Sequence, residues 1–245
     1  MLDLLDELGI AADTFVMYSS DNGPHMNSWP DAGMTPFRSE KNTNWEGAFR
    51  VPKLVRWPGK IAAGSISNGI VQHHDWLPTF LAMAGDTGVV DRLKKGATVN
   101  GRKFKNHIDG YDLLPHLTGE QKESPRQTFF YFSDDGDVLG LRFDNWKIVF
   151  MEQRCPGTLQ VWAEPFTRLR LPKLFNLRMD PYERADTTSN TYYDWLLHNG
   201  YIMMSAQTIV AKFMATFKEF PPAQKPGSFT IEDAHEKIKE AGGSS

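Results

Sequence analysis

Apolar and polar positions divide the chain into two textures. Up to about residue 120, short apolar runs and helical stripes are separated by long polar loops; from Thr128 onward, strand-like runs follow one another at hairpin spacing. In the first part, Leu4, Leu5 and Leu8 share one helical face that Gly9 terminates. Thr14 to Tyr18 is an apolar run without alternation, which predicts a strand buried on both faces of a parallel, helix-covered sheet. It breaks at Ser19-Ser20-Asp21-Asn22-Gly23-Pro24, and a loop with little periodicity continues to Arg50. The aromatics of that loop, with Met34, argue for an ordered segment of functional kind. Val51 to Gly59 reads as a short strand closed by Pro58-Gly59, and Ile61 to Val71 as connecting sequence with a strand at most at its end. Asp75 to Gly85 predicts a helix with Asp75 as N-cap and Pro78 in its first turn. The polar, basic stretch Asp86 to His107 reads as a surface loop, and Asp109 to Gly119 as a turn-rich segment.

In the second part, Phe129–Phe132, Val138–Phe143 and Trp146–Glu152 are strands joined at Asp135-Gly136 and Asp144-Asn145, the spacing of an antiparallel meander. Thr158 to Ala163 is a candidate fourth strand and Leu174–Leu177 a short one. Tyr193 to Phe220 has helical periodicity, with Gly200 as a point of division and Pro221-Pro222 as the stop; the tail after Lys225 is polar and expected to be loosely held. The fold class is therefore α/β, with an α/β part over residues 1–122 and an appended α+β part over 123–245 made of the meander, the long helix and the polar tail.

Composition narrows the function classes. A chain of 245 residues is long enough for a sizeable core in one large domain or two small ones. A net charge of −3 offers nothing to nucleic acid or an anionic membrane surface, and no apolar stretch approaches a membrane span. A lone cysteine, Cys155, excludes an internal disulfide. Met1-Leu2-Asp3-Leu4-Leu5-Asp6-Glu7 carries acidic residues where a signal peptide is basic. It reads as the crossover helix of a βαβ unit without its first strand, so the chain is expected to begin in the middle of a fold.

The chemistry concentrates at Asp21 and Asn22. Ligands of open α/β sheets gather beyond the carboxyl ends of the strands. There these two residues offer a carboxylate and an amide oxygen side by side, donors that suit Ca²⁺ or Mg²⁺. Asp21-Asn22-Gly23-Pro24 is equally a set of turn formers, so half of a metal site and an Asx-type turn are both open readings. Lys41 lies on a loop that bridges two strand ends and arches over the same face. It is either a compact positive charge for an anionic ligand or a solvated lysine beside Glu40. Asp134-Asp135-Gly136-Asp137 lacks the glycine position and closing glutamate of a calcium loop and reads as a hairpin turn. His73-His74-Asp75 reads as a helix lead-in, and Cys155-Pro156 as a turn with an unactivated thiol. No Gly-rich phosphate loop, Gly-x-Ser-x-Gly elbow or His-Glu-x-x-His is present.

Taken together, Ser20-Asp21-Asn22-Gly23-Pro24, Phe37-Arg38-Ser39-Glu40-Lys41-Asn42-Thr43-Asn44-Trp45-Glu46-Gly47-Ala48-Phe49-Arg50-Val51-Pro52 and Trp57-Pro58-Gly59 resemble the C-terminal half of the arylsulfatases. These are type I sulfatases of the alkaline-phosphatase superfamily. Asp75-Trp76-Leu77-Pro78-Thr79, Asp109-Gly110-Tyr111-Asp112-Leu113-Leu114 and Leu174-Phe175-Asn176-Leu177-Arg178-Met179-Asp180-Pro181 fall where that family has similar segments. The resemblance implies an alkaline-phosphatase-like sheet with helices on both faces, and a small C-terminal antiparallel sheet and helix. It implies Asp21 and Asn22 as ligands of Ca²⁺ (sometimes Mg²⁺) and Lys41 as the sulfate contact, with His25 and Arg38 as further candidates. The nucleophile it implies is a formylglycine made from Cys/Ser-x-Pro-x-Arg, a motif this sequence lacks, so the chain is expected to be a C-terminal portion that is inactive without the N-terminal one. The substrate is then a small-molecule or glycan sulfate ester, and the compartment periplasmic or secreted, as is common in the family. A phosphonate or phosphate monoester hydrolase and a noncatalytic anion-binding module are the competing readings. Phe166, Arg168 and Arg170, in a loop after the fourth strand candidate, are either surface residues or residues reaching towards the substrate entrance.

Overall fold

The computed structural model describes residues 1–223 and 226–228. The chain opens with helix α1 (Leu2–Glu7), closed at Gly9 in the left-handed region (φ 68°) as the apolar stripe predicts. Strand β1 (Val16–Ser19) follows, then a long loop holding the single turn α2 (Glu46–Phe49), then β2 (Lys53–Arg56). A 3₁₀ turn at His73–Asp75 leads into α3 (Trp76–Met83), and α4 (Val89–Lys95), the strands β3 (Ala97–Val99) and β4 (Arg102–Phe104), and α5 (Leu114–Leu117) complete the first part. The second part holds β5 (Thr128–Phe132), β6 (Val138–Phe143), β7 (Trp146–Glu152), α6 (Gln160–Ala163), β8 (Thr167–Asn176), α7 (Ala185–Thr188), α8 (Tyr192–His198) and α9 (Tyr201–Thr216).

The strand environment predicted for Thr14 to Tyr18 is corrected. β1 pairs antiparallel with β2, with Val16 opposite Arg56 and Ser19 opposite Lys53, and no parallel pairing occurs among the described residues. One face of this ribbon is covered: Phe15 meets Trp57, Trp76 and Phe80 at centroid distances of 5.7–6.0 Å, which seats α3 on it. The other face is reached by α1 only at its rim, where Arg56 Nη2 lies 2.9 Å from Asp6 Oδ1. Tyr18 and Leu54, directly opposite one another, stay 67% and 63% exposed. An unalternating run is the signature of two covered faces; here one of the two is bare.

The stretch Asp86 to His107 is not a plain surface loop. It forms α4 and the hairpin β3–β4, turned at Asn100 (φ 49°) and Gly101 (φ 78°). Asn-Gly supplies the two positive φ angles that a tight hairpin turn needs, and the polar flanks masked that signal. Asp75 is likewise not a free helix cap. Its buried carboxylate accepts the Gln72 amide (2.8 Å) and pairs with Arg126.

The meander is as predicted for its first three strands, in the order β5-β6-β7-β8 and antiparallel throughout, with Asp144 (φ 50°) and Gly136 (φ 86°) at the turns. The fourth strand is corrected. Residues 160–163 form α6, and β8 runs ten residues from Thr167 to Asn176, absorbing the short strand at Leu174. Pro172 masked it, because proline interrupts a ladder; β8 pairs only with β7, and the register shifts between Val149 and Met151, where proline is tolerated. Arg168 and Arg170 consequently lie exposed on β8 rather than in a loop. The long helical pattern divides at Gly200 into α8 and α9, as expected. Phe213 of α9 stacks on Phe130 of β5 at 4.0 Å, and Leu141, Ile148, Leu174, Phe175, Tyr192 and Ile202 form the core between sheet and helices. Trp45, from the loop of the first part, is a full member of this core. Most of the tail after Lys225 lies outside the described residues. No helix among the described residues is long and apolar enough to cross a membrane.

Candidate functional site

The site is assembled by backbone bonds between two loop segments. Gly23 N–H donates to Ala48 O (2.7 Å), Lys41 N–H to Pro24 O (3.0 Å) and Gly47 N–H to Arg38 O (2.8 Å). This approach requires glycine. A Cβ on Gly23 would lie 1.8 Å from Gly47 O, and a Cβ on Gly47 would lie 2.2 Å from Ser39 O. The strand end that carries Asp21 and Asn22 is thereby held beside the segment that carries Lys41.

Asp21 is exposed, and its Oδ1 accepts the Asn22 amide at 2.9 Å, an Asx-type contact. The Asn22 side-chain amide donates to Gly23 O (2.8 Å), which orients its own oxygen away from that bond. Asp21 Oδ2 and Asn22 Oδ1 accept no hydrogen bond among the described residues. Two adjacent oxygen donors left open in this way are of the type that hard cations take. The segment is thus a turn, and the turn leaves two oxygens without a hydrogen-bond donor among the described residues. No group of three or more His, Cys, Asp or Glu side chains among the described residues is arranged to hold a metal ion.

Lys41 is half-buried and its ammonium makes no ion pair or hydrogen bond among the described residues. Arg38, by contrast, is engaged. Its Nη1 reaches Asp186 Oδ1 and Glu183 O, both at 2.9 Å, and its guanidinium lies 3.5 Å from the centre of the Trp45 ring. His25 begins a short 3₁₀ turn, and its buried Nε2 finds no partner among the described residues. Phe166, Arg168 and Arg170 make no contact with these residues through any hydrogen bond or ion pair described.

Three acids that frame the site are not evident from sequence. Glu40 is fully buried and accepts the backbone N–H groups of Met26 and Thr158. Glu46 is buried among cations, with Lys147 Nζ at 3.2 Å, Arg50 Nε at 2.6 Å and the Tyr131 hydroxyl donating at 2.6 Å. Burial alone would raise its carboxyl, but Lys147 and Arg50, with the Tyr131 hydroxyl and Arg142, outweigh it and hold the group down at about 2. Glu183 shares Lys147 (2.6 Å) and accepts the Glu46 N–H (2.6 Å). For Glu183 burial wins, helped by the neighbouring Glu46 charge, and its carboxyl is raised. The visible trace in the sequence is an acid at each end of the lysine segment, Glu40 and Glu46, with Lys41-Asn42-Thr43-Asn44-Trp45 between them.

The sulfatase family model matches residues 1–86, which contain every one of Asp21, Asn22, His25, Arg38 and Lys41. The chain is 34% identical over 213 residues to N-acetylgalactosamine-6-sulfatase of Canis lupus familiaris, covering 80% of this chain and 38% of that protein. It is 33% identical over 155 residues to an arylsulfatase of Hemicentrotus pulcherrimus, covering 63% of this chain and 25% of that protein. Among solved structures, the PsFucS1 sulfatase from Pseudoalteromonas sp. superposes with a TM-score of 0.68 at 32% identity, over 90% of this chain and 40% of that one. The chain thus spans well under half the length of these relatives. The family match over residues 1–86, the identity to two sulfatases and the shared fold agree, and the chain is a homologue of the sulfatases over part of their length.

Proposed function

We propose that this chain supplies one side of a sulfate-ester hydrolase site. Asp21 and Asn22 hold a Ca²⁺ ion, or Mg²⁺ in its place, and Lys41 contacts the sulfate. The observation that supports this reading is the bond from Lys41 N–H to Pro24 O, which holds the backbone of the lysine loop against the segment that follows Asp21 and Asn22. A bound divalent cation would polarise the sulfate oxygens and offset the charge that develops as the ester bond breaks. Lys41 adds a second, compact positive charge on the same anion. Arg38 takes no direct part; it braces Trp45 and Asp186. His25 borders the site, with an unpaired ring nitrogen.

The nucleophile, a formylglycine in this family, belongs to a portion of the fold that this sequence does not contain. That portion is also the proposed partner. It covers the bare Tyr18–Leu54 face of the β1–β2 ribbon, because a two-stranded ribbon with an open apolar face is marginal in water. The substrate is a small-molecule or glycan sulfate ester. An exported compartment, periplasmic or secreted, follows from the resemblance. The test is reconstitution with an N-terminal sulfatase portion that carries Cys-x-Pro-x-Arg. Calcium-dependent hydrolysis of an aryl sulfate is expected only from the combined protein, with Asp21→Ala and Lys41→Ala each lowering kcat/KM by at least about a hundredfold. Turnover by the 245-residue chain alone, or full activity in both variants, would overturn the assignment.

A further inference from the structure

Beyond the groups that meet the sulfate and the cation, we propose that Glu40 is a positioning residue that sets Lys41 against the Asp21–Asn22 end. This rests on the site assignment above. Glu40 is fully buried and has no cationic partner among the described residues; its carboxylate is held by backbone N–H groups alone. One oxygen takes the amide of Met26, four residues beyond Asn22. The other takes the amide of Thr158, in the turn between β7 and α6. A single carboxylate therefore joins three segments: the metal-ligand turn, the lysine loop and the far subdomain.

The surrounding backbone shows how tightly that position is specified. Ser39 (φ 61°) and Asn42 (φ 69°) flank Glu40 and Lys41 in the left-handed region, which asparagine adopts readily and serine uncommonly. Glu40 O accepts the Thr43 hydroxyl (2.8 Å), and Ser39 Oγ donates to Pro156 O (3.3 Å). Gly157 leaves room for the carboxylate, since a Cβ there would lie 2.4 Å from Glu40 Oε1. A buried carboxylate satisfied only by N–H donors is costly to place, and removing it leaves the Met26 and Thr158 N–H groups without this acceptor. The turn before α6 is thereby fixed to the residue next to Lys41, so the C-terminal part determines where the lysine stands.

Glu40→Gln keeps the size of the side chain but turns an NH₂ group towards one of the two amides. In the 245-residue chain, hydrogen exchange at the Met26, Lys41 and Thr158 amides should accelerate by about tenfold or more in this variant, with core amides of β6 and β7 unchanged. In the combined enzyme, a double-mutant cycle separates positioning from general structure. Glu40→Gln should lower kcat/KM for an aryl sulfate by about tenfold or more in the Lys41 enzyme, and by less than about twofold in a Lys41→Ala background. Equal losses in both backgrounds, or unchanged exchange, overturn the proposal while leaving the sulfate assignment intact. A Lys41→Ala substitution that leaves kcat/KM unchanged overturns both. If Glu40→Gln does not fold, the same cycle is run with Glu40→Asp, a methylene too short to reach both amides, and the same two outcomes support or overturn the proposal.

Discussion

Replacing Lys147 by methionine removes the cation that lies between two buried carboxylates while keeping the length of the side chain. In the native protein the ammonium lies 2.6 Å from Glu183, 3.2 Å from Glu46 and 2.8 Å from Asn44 O, and 4.1 Å from the centre of the Tyr131 ring. Without it, Glu46 and Glu183 face one another in a region closed to water. Breaking a buried pair from one side costs roughly 3–5 kcal/mol, which in a domain of this size lowers Tm by roughly 6–20 °C. The loss should depend on pH. Native Glu46 titrates at about 2, below its ordinary 4.5, so its contribution is present above that ordinary value and fades as pH falls towards 2. Glu183 titrates above 4.5, so its contribution is present below that value and is lost as pH rises through the folded one. In Lys147→Met, Glu183 loses its cation and is raised further while Glu46 keeps Arg50 and Arg142, so the variant regains stability on acidification as Glu183 takes up its proton. Urea unfolding followed by tryptophan fluorescence should show a deficit at about pH 7 that shrinks by at least about 1 kcal/mol at about pH 5. A deficit below about 1 kcal/mol, or one that does not change with pH, would refute the reasoning.

Two further substitutions probe the frame of the site. Arg126→Ala strips the buried Asp75 of its guanidinium and should cost about 3–5 kcal/mol in the same assay, with Arg126→Lys recovering less than half, because Arg126 also donates to Asp109 O and Thr128 O. Gly23→Ala forces a Cβ against Gly47 O and should destabilise by about 3 kcal/mol or more; a variant within about 0.5 kcal/mol of the parent would show that the two loops are not in contact there.

Features set by neighbours in sequence were legible. The end of β1 at Ser19, the hairpin turns at Gly136 and Asp144 and the division at Gly200 each follow from local backbone chemistry. The Asn100-Gly101 turn was equally local, yet its polar flanks hid it, and Pro172 hid β8 in the same way. The exposure of Tyr18 and Leu54 could not be read, because an apolar run reports what a strand is built to bury rather than what lies against it. Asp21, Asn22 and Lys41 were found as residue types at a strand end and on its loop. The buried acids near them were not, since Glu46 meets Lys147 and Glu183 across 101 and 137 residues of chain. No periodicity connects positions so far apart.

Trp45 carries a mechanical consequence. It sits on a loop with a single helical turn, yet its ring is packed edge-on against Phe175 at 6.0 Å and its indole N–H donates to Gln153 O at 3.2 Å. The loop cannot open without withdrawing that ring from the centre of the meander, so its opening free energy approaches that of the whole sheet. The segment bearing Lys41 is therefore stiff in proportion to the sheet beneath it, although almost none of its own backbone is regular. On the reading proposed for Lys41, an anion arriving there would meet a charge already in place, with little ordering left to be done on binding.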